Sequence, residues 1–231
     1  MEFPLTHPGA PSSRRDFFKR ASLGVGVVAA ASALQACDST EDDSGADVTL
    51  DFSSDVGVLN YAYALEQLEA AFYAQVVATP YAGITDTERA VLQDLAKHEA
   101  IHDQFFRVAI TAAAPSQIIP RLNVDFSSIN FASRASVLGT AQVFEDLGVG
   151  AYNGAGQYIT SDTYLLLAGK IVSVEARHAS VISGLLAANS ISGSGQINAQ
   201  GLDKALDPRD VLAAAGTYIQ ETIGTSGLPP R

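Results

Sequence analysis

The sequence predicts an all-α fold: a four-helix bundle with a long crossover between its second and third helices and a short C-terminal helix. Three observations carry this. Four stretches keep the apolar spacing of a helix, over roughly 56–78, 85–113, 132–159 and 162–188. The pattern Glu-x-x-His occurs twice, at Glu99 and His102 and at Glu175 and His178, each inside one of those stretches. Each copy is preceded by another glutamate, Glu66 by 33 residues (99 − 66) and Glu145 by 30 (175 − 145), and each of these is followed seven residues on by a tyrosine, Tyr73 and Tyr152.

The first helix shows Leu59, Ala62, Tyr63, Leu65, Phe72, Tyr73 and Val76 at near-helical spacing, with no glycine or proline between residues 58 and 79. Pro80 and Gly83 break it. Thr85 with Glu88 three residues on reads as a capping box for the second helix, whose stripe is Leu92, Leu95, Glu99, His102, Phe106 and Ala109. Residues 115–133 hold two prolines and no sustained period, long enough to carry the chain from one end of a bundle to the other. The third helix contains Gly139, Gly148, Gly150, Gly154 and Gly156, which weaken an isolated helix but let neighbouring helices approach. Ser161 and Asp162 cap the fourth, with Ala168, Ile171, Glu175, His178 and Ile182 on one face. Residues 190–231 read as a loop, a short helix near 208–222 and a frayed tail.

Residues 1–36 read as an address. The run Ser13-Arg14-Arg15-Asp16-Phe17-Phe18-Lys19 resembles a twin-arginine export signal, and Leu34-Gln35-Ala36-Cys37 resembles a lipobox. That resemblance implies export by the twin-arginine pathway and a lipoprotein on the periplasmic face of a membrane, anchored through a lipid on Cys37. The alternative is an uncleaved N-terminal anchor. Residues 37–55, acidic and rich in Ser and Thr, read as a flexible tether, and 56–189 as the bundle. A net charge of −11 argues against nucleic acid as a partner. One cysteine leaves neither a disulfide framework nor a cysteine-based metal site.

The two motifs are expected to meet. A helix puts residues i and i+3 on one face, so each motif aims a carboxylate and an imidazole the same way. With the first turn near Ala82, Glu66 lies 16 residues before it and Glu99 17 after; with the second near Ser161, Glu145 lies 16 before and Glu175 14 after. All four glutamates fall at one level. Carboxylates converging in a core repel one another unless cations compensate, and no lysine or arginine shares their faces. A pair of metal ions would compensate, and a carboxylate–imidazole set suits iron or manganese. Glu66, Glu99, His102, Glu145, Glu175 and His178 are the candidate ligands, with Glu69, one turn from Glu66, the alternative to it. Tyr73 and Tyr152 are candidate catalytic residues, with core packing the ordinary alternative. His98 falls 100° from Glu99 around the helix and reads as a surface or supporting residue.

This pattern resembles the ferritin-like superfamily, whose bundles hold carboxylate di-iron and di-manganese centres. The stretches Leu65–Tyr73, Asp146–Tyr152 and Val174–His178 further resemble a bacterial ferritin-like domain family that includes desiccation-related proteins. The resemblance covers roughly 56–188. It implies two iron or two manganese ions as cofactors and a small oxidant, O2 or peroxide, or the metal ion itself as partner, in ferroxidase-type or catalase-type chemistry. It also leaves open a non-enzymatic stress or desiccation-related envelope protein, and a homodimer.

Overall fold

The computed structural model describes residues 45–230. Five α-helices lie among them: α1 (Asp55–Ala78), α2 (Asp86–Ala113), α3 (Arg134–Ala155), α4 (Asp162–Leu186) and α5 (Pro208–Ala215). Helices α1–α4 make the bundle, with α1 packed along α2 and α3 along α4. Each begins on a side-chain cap. Ser54, Ser133 and Ser161 accept a backbone N–H from the first turn, and Thr85 with Glu88 closes a full capping box. None of these described helices is long and apolar enough to cross a membrane.

Two links at opposite ends fix the connectivity. The Asp55 carboxylate accepts the N–H groups of Thr160 and Ser161 at 2.7 and 3.0 Å, which joins the start of α1 to the start of α4. At the other end Arg134 Nε donates to Glu88 Oε1 at 2.6 Å and joins the start of α3 to the start of α2. The chain therefore leaves α2 at one end and enters α3 at the other, and residues 114–133 must run the length of the bundle. Two buried amides on α1 hold that crossover. Asn60 donates to the Gln117 carbonyl at 2.8 Å and accepts from Ile119 N–H at 3.0 Å. Gln67, two turns on, donates to the Pro120 carbonyl at 3.3 Å and accepts from Leu122 N–H at 2.9 Å. The crossover covers the outer face of α1, so α1 is buried nearly all round between Gly57 and Glu69.

Four expectations change. The tether does not extend to residue 55. Val48, Leu50 and Phe52 are buried, and the short strands β1 (Val48–Thr49) and β2 (Ile223–Gly224) pair in parallel, Val48 opposite Ile223. The alternation of Val48, Leu50 and Phe52 is a strand period that the surrounding acidic residues masked. The C-terminal tail is not frayed: Leu228 is buried, and its carbonyl accepts from Arg209 Nη2 at 3.1 Å. The last helix stops at Ala215, and a 3-10 turn follows over Gly216–Tyr218. Two of the glycines of α3, Gly150 and Gly154, admit a loop rather than a helix, whereas Gly148 gives room to Glu69 of α1. A Cβ on Gly154 would stand 1.8 Å from the Leu206 carbonyl oxygen, and Leu206 N–H donates to the Gly150 carbonyl at 2.9 Å. The expected leader and Cys37 lie outside the described residues.

Candidate metal centre

The four-way convergence places Glu66 on α1, Glu99 and His102 on α2, Glu145 on α3, and Glu175 and His178 on α4. The four glutamates are 0–1 % exposed. Their ligand-type atoms form two overlapping groups, each within 4.8 Å: Glu66, Glu99, His102 and Glu175 in one, and Glu99, Glu145, Glu175 and His178 in the other. Glu99 and Glu175 belong to both. Glu99 Oε2 lies 3.4 Å from His102 Nδ1 and its Oε1 lies 2.7 Å from His178 Nδ1. Glu175 does the same, with Oε1 2.9 Å from His102 Nδ1 and Oε2 3.7 Å from His178 Nδ1. Each of these carboxylates thus divides its oxygens between the two groups, as a bridging carboxylate does.

Glu66 and Glu145 sit at the two outer ends, and here the tyrosines enter. Tyr152 on α3 donates to Glu66 Oε1, and Tyr73 on α1 donates to Glu145 Oε1 at 2.5 Å. Each tyrosine serves the glutamate of the other half, although each is spaced from the glutamate of its own. One turn of α-helix rises 5.4 Å, so seven residues carry a side chain about two turns away from its own helix's glutamate. The hydroxyl therefore reaches across the bundle instead. With one oxygen so occupied, Glu66 and Glu145 each turn a single free oxygen, Oε2, inward.

Those inward atoms define the chemistry of the site. Glu66 Oε2, both oxygens of Glu99 and of Glu175, Glu145 Oε2, and Nδ1 of His102 and His178 are buried without a hydrogen-bond partner. The imidazole nitrogens stand close to carboxylate oxygens but off the line a hydrogen bond requires. The electrostatics follow from burial. Burial opposes a charge on His102, but Glu175, Glu66 and Glu99 outweigh it and push its pKa up to about 12. His178 is likewise pushed up to about 12, against burial, by Glu145, Glu175 and Glu99. Burial raises Glu145 to about 8, with His178 opposing and Glu175 and Glu99 adding. Burial, then Glu175, lifts Glu66 well above the carboxylate range. Glu99 resists its burial because His102 and His178 hold it down to about 2. Without a metal the cluster keeps protons that a cation would displace.

Glu69 is buried beside this cluster but belongs to neither group, whereas Glu66 belongs to one. Burial and then the Glu175 charge raise its pKa well above the usual carboxylate range. The position equivalent to Glu69 in the second half is Gly148, three residues beyond Glu145 as Glu69 is beyond Glu66. A Cβ at Gly148 would lie 3.1 Å from Glu69 Oε1. One half therefore supplies a carboxylate and the other the room for it.

A family model described as the ferritin-like domain matches residues 54–188. The chain belongs to the ferritin-like family. No curated protein matches it. In this ferritin-like chain His98, exposed on α2, sets its Nδ1 2.8 Å from His178 Nε2. That contact leaves His178 Nδ1 facing the carboxylates, the role a supporting partner plays for a ligating imidazole. The crossed tyrosine bonds and the room over Gly148 were not foreseen from the sequence. The equal +7 spacing of the tyrosines was the available signal, but it indicates a pair and not which partner each one takes.

Proposed function

We propose that this chain is an exported, envelope-anchored oxidoreductase that holds two iron or two manganese ions and turns over O2 or peroxide. The observation that supports this reading best is the set of eight unpartnered buried atoms, counted over six residues, that face a common space. Buried polar atoms without partners cost about 1–3 kcal/mol each, more for charged ones. Two divalent cations would satisfy all eight, and the four carboxylates would balance their charge. The donor set of carboxylate oxygen and imidazole nitrogen suits iron and manganese.

Glu66 and His102 would hold one ion, Glu145 and His178 the other, and Glu99 and Glu175 both. Two such ions, when bound, supply paired redox states for a two-oxygen substrate. Tyr73 and Tyr152 position the end glutamates through their hydroxyls. Burial, and the glutamate each one faces, raise the phenol pKa of both tyrosines well above the usual tyrosine range, so they stay protonated as donors. Export and anchoring rest on the twin-arginine run and the segment ending at Cys37.

Metal analysis of full-length protein from a host with a twin-arginine pathway tests the centre. Two equivalents of iron or manganese per chain are expected. The iron(II) protein should then consume O2, or the manganese protein evolve O2 from peroxide. A folded product with far less than one equivalent would refute the centre and leave a helical envelope protein.

A further inference from the structure

The bundle is more tightly filled at one end than at the other. The two halves superimpose by number: 79 separates Glu66 from Glu145, and 76 separates Glu99 from Glu175. The same offsets pair Phe72 with Ala151, Val76 with Ala155, and Leu92 with Ala168. Phe72, Val76 and Leu92 are core residues, and the Phe72 ring packs 5.1 Å from Phe144 and 5.1 Å from Tyr73. Their three alanine counterparts line a cavity between α1, α2, α3 and α4, where about 30 Å³ is open to the centre of a water-sized sphere, against about 10 Å³ beside Val76 and Leu92.

None of the cluster's six Glu and His residues lines the cavity, but its wall comes within one turn of them and touches Glu66 through Tyr152. Leu65 precedes Glu66, Phe106 lies one turn beyond His102, Ile171 lies one turn before Glu175, and all three are wall residues. Tyr152 is also in the wall, with its hydroxyl spent on Glu66. Its partly exposed wall residues include Phe105 and Ala109 on α2, Gly156 and Ile159 after α3, and Tyr164 on α4. The exposed Leu165 stands 4.0 Å from the Cβ position of Gly156.

We propose that this cavity is the route and holding site for dioxygen. The proposal rests on the reading of the cluster as a di-metal centre and narrows its oxidant. One water needs about 10–15 Å³ on this measure, so the space holds two or three water-sized molecules and no large organic substrate. Its walls are almost wholly apolar, and apolar cavities take up apolar gases such as xenon. Peroxide must give up its hydrogen bonds to water on entering, and an uncompensated hydroxyl is costly to bury. Dioxygen has none to lose.

Xenon is the probe. Full-length protein with labelled alanine methyls is titrated with xenon under pressure, metal-free and manganese-loaded. Saturable shifts are expected at Ala62, Ala151, Ala155 and Ala168. They should vanish in Ala151→Phe and in Ala168→Leu, which install the side chains found at the equivalent positions of the more tightly filled end. With iron(II) bound, both variants should consume limiting O2 several-fold more slowly, with metal content and the rate of oxidation by added peroxide unchanged. If Ala151→Phe does not fold, Ala168→Leu carries the comparison. Xenon shifts elsewhere, or wild-type O2 consumption in the filled variants, would overturn the assignment. Absence of metal from the wild-type protein would refute the cluster reading instead, and is read from metal content alone.

Discussion

Raising the pH from 5 to 8 should destabilise the metal-free protein, and Glu145 sets the scale. Burial raises its pKa from 4.5 to about 8 in the fold. A group with a raised folded pKa lends stability below its unfolded pKa and loses it as pH climbs to the folded one. For Glu145 the loss between pH 5 and pH 8 is on the order of 3–4 kcal/mol. His102 and His178, both pushed up to about 12, lose stability in the same direction above pH 6.5. Glu99, held down to about 2, has the opposite sign but acts only below pH 4.5. For a domain of this size a loss of that order corresponds to a fall in Tm of roughly 10 °C. Thermal melts of chelator-treated full-length protein at pH 5, 6, 7 and 8 measure it, with Glu145→Gln as the control that makes the slope shallower. Manganese added at pH 8 should restore the loss, because it binds the deprotonated ligands of the folded state. A Tm that stays level or rises across this window, with Glu145→Gln behaving as the wild type, would refute the convergence of charges on which the reasoning rests.

Three further outcomes follow from the geometry. Because Glu99 lies in both ligand groups and Glu66 in one, Glu99→Ala should lose both metals while Glu66→Ala keeps about one, as read by metal analysis of the purified variants. Tyr73→Phe removes the donor to Glu145 Oε1 and leaves a buried carboxylate oxygen unpartnered, which should cost about 1–3 kcal/mol in a denaturant titration of the metal-free protein. Gly154→Ala places a Cβ 1.8 Å from the Leu206 carbonyl, so the segment before α5 must lift away. Hydrogen exchange should then quicken at Leu206, whose N–H is bonded to the Gly150 carbonyl, while Glu66 and its neighbours on α1 stay protected.

Much of the bundle and of its buried Glu and His cluster could be read from local patterns. Helical periodicity, the capping box at Thr85 and the Pro80–Gly83 break depend on neighbours in the chain, so they located the helices to within a few residues. The Glu-x-x-His spacing depends only on the helical repeat, and it named the half-sites. Equal distances from two turns then brought four glutamates to one level. Segments stabilised by distant partners were misjudged for the same reason. Val48 and Leu50 are ordered by residues near 222–224, and Leu228 by Arg209, which composition within a short window cannot register.

What the sequence determined by itself was therefore the class of fold, the level of the glutamates and the identity of both imidazoles, because each follows from spacing along a single helix or hairpin. What only the tertiary structure decided was pairing across helices. It decided that Glu99 and Glu175 share both groups, that Tyr152 serves Glu66 and Tyr73 serves Glu145, and that Glu69 fills the room over Gly148 without joining either group. It also decided that alanines at one end line a cavity larger than the one beside the equivalent residues at the other end. Helical repeat constrains the direction of a side chain about its own axis. Which side chain it meets depends on how four axes are set against one another, and that is fixed by packing over the whole core.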